Sequence, residues 1–146
     1  MRLSLVAALA LPLASLRGQG PNSEAQDQVT FRALCGSCHG TTLVDGLRTE
    51  AEWQEEIDQM VKIGARGTPE QLLRVMRVLA RTLTKVNVNT AEPPQIAPVL
   101  DVSEAVAQDV VKRRKSIGKF KSLEDLKQVP GVDPAKLEAR KERVLF

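Results

Sequence analysis

Apolar positions recur along the chain at helical spacing, with polar residues on the faces between them. Phe31, Leu34 and Cys38 share a face and predict a helix over residues 24–38. Thr49-Glu50-Ala51-Glu52 has the form of a capping box. The helix it opens should run to about Ile63, with Trp53, Ile57, Met60 and Val61 on one stripe and Gly64 and Gly67 ending it. Thr68-Pro69-Glu70-Gln71 repeats the device, with proline at the first helical position. Leu72, Met76, Leu79 and Leu83 then carry a third helix from Pro69 to about Leu83. Beyond Lys85 the predicted elements are shorter. Thr90 caps a helix that takes Pro93 and Pro94 in its first turn, and Ser103 caps one reaching Lys115, with Val106 and Val110 inward. Ser122-Leu123-Glu124-Asp125 is another capping box, opening a short helix to Val129. Pro130-Gly131-Val132-Asp133-Pro134 turns the chain into a last helix through about Leu145. The pattern predicts an all-α protein.

The ends and the charge refine this picture. Met1-Arg2 followed by the apolar run Leu3 to Leu11 reads as a secretory signal over residues 1–20, cleaved between Ala14 and Gly20. The run is too short to span a bilayer, so the expected location is periplasmic or otherwise exported. What remains of the 146 residues suits one ordinary domain or two very small ones. Aromatic residues make up only 3%, with no tyrosine, so an unaided core would be thin. Residues 22–84 carry seven Lys or Arg against nine Asp or Glu, and residues 85–146 carry twelve against nine. The change of sign marks a boundary near Lys85, dividing the chain into residues 24–84 and 85–146. Neither imbalance is large enough to establish a nucleic-acid partner by itself.

The densest chemistry is Cys35-Gly36-Ser37-Cys38-His39. A C-x-x-C-H run is the pattern of covalent haem attachment. Cys35 and Cys38 would form the thioethers and His39 the proximal bond to iron. A thioredoxin-like reading of the same cysteines would want a βαβ context. Structural zinc would want a fourth ligand, which the chain's Cys and His residues do not supply. One covalently bound haem c is the expectation. His39 is the only histidine, which leaves Met60 and Met76 as thioether candidates for the opposite face. Met76 sits on a regular apolar stripe and reads as core, as does Trp53. Lys112-Arg113-Arg114-Lys115 is the basic cluster; at a helix end it reads as a solvated face, or as a patch for a polyanion or an acidic partner. No acid–base pair or nucleophile–base arrangement stands out, so no catalytic residue is expected.

Two resemblances extend these readings. Residues 31–83 resemble the small haem domains of the cytochrome c family found in quinohaemoprotein amine dehydrogenases. The likeness rests on Cys35 to His39, Trp53 with Ile57, and Met60-Val61-Lys62-Ile63-Gly64-Ala65. It implies a three-helix haem domain with Met60 as the sixth iron ligand, and single-electron transfer to or from a redox partner such as a dehydrogenase or oxidase. Residues 85–146 resemble the helix-hairpin-helix domain of ComEA competence proteins, through Val86-Asn-Val-Asn-Thr-Ala91, Phe120-Lys-Ser-Leu-Glu-Asp-Leu126 and Val129-Pro-Gly-Val-Asp133. That likeness implies two Gly-x-Gly turns whose amides face DNA phosphates. Here the first turn reads Asp101-Val102-Ser103 and the second Gly131-Val132-Asp133, which sets carboxylates where phosphate would approach. The resulting expectation is an exported mono-haem cytochrome whose C-terminal module serves protein contacts. The alternative is a DNA-binding or uptake protein of the ComEA type carrying a haem domain.

Overall fold

Capping chemistry starts most of the helices where the pattern places them. A computed structural model describes residues 21–146; the expected signal segment lies outside the described residues. Helix α1 spans Pro21–Cys35, α2 Glu50–Lys62 and α3 Pro69–Thr82. Of the three predicted capping boxes, the one at Ser122 stays half-made, its Asp125 carboxylate accepting from the Lys121 N–H instead, while Thr49 with Glu52 ahead of α2 and Thr68 with Gln71 ahead of α3 both close. Each satisfies amides that would otherwise lack a partner. Four shorter helices follow: α4 Pro93–Leu100, α5 Glu104–Ile117, α6 Leu123–Lys127 and α7 Pro134–Ala139. Ser103 and Ser122 cap α5 and α6 as expected, whereas Gln95 rather than Thr90 serves α4, accepting from the Glu92 N–H at 3.0 Å. The fold is all-α apart from a two-residue parallel pair, β1 Val86–Asn87 with β2 Val144–Leu145. No described helix is long and apolar enough to cross a membrane.

Two hydrophobic clusters form. The N-terminal one centres on Trp53, Val75 and Leu79, with Phe31, Leu34, Ile57 and Leu83 against them. Arg48 stacks 4.6 Å from the Trp53 ring, and the indole N–H donates to the Leu83 carbonyl at 3.2 Å. The C-terminal cluster gathers Val88, Ile96, Val99, Leu100, Val110, Leu126 and Leu137, each at most 2% exposed.

Charge also holds α1 to α3. Asp27, 1% exposed, lies under three arginines of α3. Arg77 grips it with two bonds of 2.7 and 2.9 Å, Arg81 adds one of 2.9 Å, and Arg74 stands 3.5 Å away. The Arg77 bonds hold the Asp27 carboxyl below the usual carboxylate range, against the opposing effect of burial.

The predicted last helix is shorter than its sequence suggests. It stops at Ala139, and residues 141–145 form a 3₁₀ turn and β2 instead. The residues Ala139 to Arg143 favour helix, but tertiary bonds override that preference. Arg143, 8% exposed, donates to the carbonyls of Ala80, Arg81 and Thr84 at 2.6, 2.7 and 2.9 Å. Those groups lie at and just beyond the C-terminal end of α3, where carbonyls lack helical donors. Val144 then enters the C-terminal cluster.

Candidate nucleic-acid interface

The C-terminal cluster is built from two helix–turn–helix units packed reciprocally. The first turn joins α4 to α5 through Asp101, the second α6 to α7 through Gly131. Asp101 takes the left-handed conformation at φ 56°, which a short polar side chain tolerates better than most. Gly131 stands at φ 87°, and a Cβ there would lie 2.6 Å from a Val106 methyl in the first turn of α5. Its glycine is therefore demanded by packing as well as by backbone shape. In return, the Asp101 carboxylate lies 3.0 Å from Lys136 and 3.2 Å from Arg140, both on or just after α7. Each turn thus rests on the helix that follows the other.

These contacts change the reading of the two carboxylates. Asp101 is not a bare negative charge on the first turn but is matched by two cations. Asp133 caps α7, accepting from the amides of Ala135 and Lys136 at 2.8 and 3.3 Å. It thereby occupies donors that an approaching phosphate would otherwise meet. The Ser103 hydroxyl does the same for the Val106 amide at 3.3 Å.

The basic cluster divides. Arg114, with only 10% of its side chain exposed, donates to the carbonyls of Val88 and Ala91 at 2.8 and 2.6 Å, and is a structural brace. Arg113 is half-buried, while Lys112 and Lys115 are exposed, with Lys112 paired to Asp109 at 3.0 Å. Lys119 and Lys121 are exposed nearby in sequence. Lys136 and Arg140 were missed as candidates. Their four-residue spacing beyond the second turn is the signal that could have found them.

The N-terminal candidates also meet. Cys35, Cys38, His39 and Met60 line one largely apolar cavity of about 220 Å³, beside Trp53 and Ile57. Helix α1 ends at Cys35, so Cys38 follows in an exposed turn rather than on the predicted helical face. Burial pushes the Cys35 thiol above its usual range, and the His39 Nδ1 lies 3.1 Å from the Gly40 carbonyl. Met76 packs against the Trp53 cluster, in keeping with a core residue.

Comparison with known families falls on the C-terminal half. Residues 81–144 match the helix-hairpin-helix motif. A 55-residue stretch is 42% identical to an endonuclease/exonuclease/phosphatase family domain-containing protein 1 from Danio rerio, covering 38% of this chain and 10% of that one. The Homo sapiens protein of the same name is 38% identical over 60 residues, covering 41% and 10%. The uncharacterized protein YdcI of Bacillus subtilis (strain 168) is 31% identical over 90 residues, covering 53% and 12%. The chain thus spans about a tenth of these relatives. No solved structure matches.

The expected covalent haem c is overturned. The matched motif leaves Cys35 to His39 outside it. Among the described residues, no group of three or more His, Cys, Asp or Glu is placed to hold a metal ion. The cytochrome reading, its iron ligands and its redox partner fall with the cofactor.

Proposed function

We propose that the helix-hairpin-helix module binds the phosphate backbone of duplex DNA without reading base sequence. The match over residues 81–144 is the observation that carries this reading. Reciprocal packing of the two turns supports it, because Lys136 and Arg140 stand beside the first turn although they follow the second. The net charge of residues 85–146, twelve basic against nine acidic, favours a polyanion only weakly. Affinity should therefore be modest and governed by counterion release. Roughly three or four phosphate contacts would give a slope of log affinity against log salt of about −2.7 to −3.6. Fluorescence anisotropy of the full chain on duplexes of unrelated sequence, at low and physiological salt, tests this. Similar affinities on every duplex, weakening steeply with salt, support the reading. Absence of binding at low salt would defeat it and assign the module to protein contacts.

A further inference from the structure

We infer that Asp101 is an internal stand-in for phosphate, and that Lys136 and Arg140 form a phosphodiester contact held in a partly masked state. This rests on the DNA reading above. Three observations converge on it. The carboxylate oxygen Oδ2 of Asp101 lies 3.0 Å from Lys136 Nζ and 3.2 Å from Arg140 Nη2, a cationic pair converging on a single anionic oxygen. A phosphate oxygen presents the same charge to such a pair, and guanidinium and ammonium groups bind both anions. Second, Asp101 occupies a left-handed position that costs any residue with a Cβ some strain, so its side chain is bought at the expense of backbone comfort. Third, the pair can be reached: Arg140 keeps 26% of its side chain exposed. The Asp101 and Lys136 side chains remain about half exposed, so an incoming phosphate has access to the pair.

Binding would therefore be an exchange. A DNA phosphate displaces the Asp101 carboxylate from Lys136 and Arg140, and the carboxylate turns to solvent. The device lowers affinity and makes contact depend on a phosphate competing with an anion already in place. Free phosphate and small anions, which lack the other contacts along a duplex, would displace it poorly.

The test uses the full chain with Asp101→Asn and, separately, Asp101→Gly, since both replacements accept the left-handed backbone. Each is combined with Lys136→Gln and Arg140→Gln. Anisotropy on a labelled duplex is read at 50 and 200 mM salt. Both Asp101 variants should bind more tightly at 50 mM, and their salt slopes should steepen by about one to two, as one or two contacts are added. Each added contact makes the gain about 3.5-fold larger at 50 mM than at 200 mM. In the Lys136→Gln/Arg140→Gln background the gain should vanish. A gain that persists there would mean that Asp101 acts only through overall charge, and would overturn the inference. Wild-type binding with no gain in either Asp101 variant would overturn it while leaving the DNA reading intact. No binding by any variant at 50 mM would overturn both.

Discussion

Replacing Gly131 by alanine separates a packing role for this glycine from a phosphate-approach role. The new methyl would meet a Val106 methyl at 2.6 Å, well inside contact distance, at a backbone φ of 87°. The left-handed conformation alone costs a residue with a Cβ about 1–2 kcal/mol. Overpacking adds about 1–3 kcal/mol, toward the lower end here because Val106 is only half-buried and has room to shift. Gly131→Ala should therefore destabilise the chain by roughly 2–4 kcal/mol. Urea unfolding followed by circular dichroism measures this, and a Val106→Ala partner divides it. Without the valine methyls the clash is gone, so Gly131→Ala should cost only the conformational part, about 1–2 kcal/mol. The difference between the two backgrounds is the coupling energy of the contact. An equal cost in both would refute the packing role. Loss of DNA affinity at unchanged stability would assign Gly131 to phosphate approach instead.

Asp27→Asn should cost about 3 kcal/mol, the low end for breaking a buried ion pair, because the three arginines are 23–35% exposed and partly rehydrate. Its folded-state carboxyl is held below the unfolded value, so the stabilisation is fully present above the unfolded value near pH 4 and is lost as pH falls through the folded one. The gap between wild type and variant in urea titrations should be flat at neutral pH and close in acid; a gap that widened in acid would contradict the assignment. Arg143→Met should cost about 3 kcal/mol by stripping donors from three carbonyls, and Arg143→Lys should restore less than half, since an ammonium cannot span all three. Hydrogen exchange should show the loss concentrated at the end of α3 and at β1. Uniform loss of protection across the chain would argue against this local bracing.

Helix starts were legible because their determinants are local. Thr49 and Glu52, or Thr68 and Gln71, lie three residues apart, and the bonds they make are the ones their spacing implies. What stayed hidden is separated along the chain. Asp27 finds its arginines 47 to 54 residues away, and Asp101 meets Arg140 across 39. No periodicity reports such pairings, so Asp101 read as a repulsive charge and Arg114 as part of a surface patch. The last helix failed for the same reason, because bonds from Arg143 across some sixty residues decide its end. The Cys35 to His39 spacing, in contrast, is entirely local, and a pattern of that kind carries no information on the rest of the chain that must fold around the group it suggests.

The pairing of β1 with β2 has a consequence for how such a module travels between proteins. Val86 lies beside Val144 and Asn87 beside Leu145, so the polypeptide enters and leaves the C-terminal cluster at neighbouring points. A unit with adjoining entry and exit can be spliced into a loop of an unrelated host without prising the host apart. In the matched relatives the shared stretch is about a tenth of the whole.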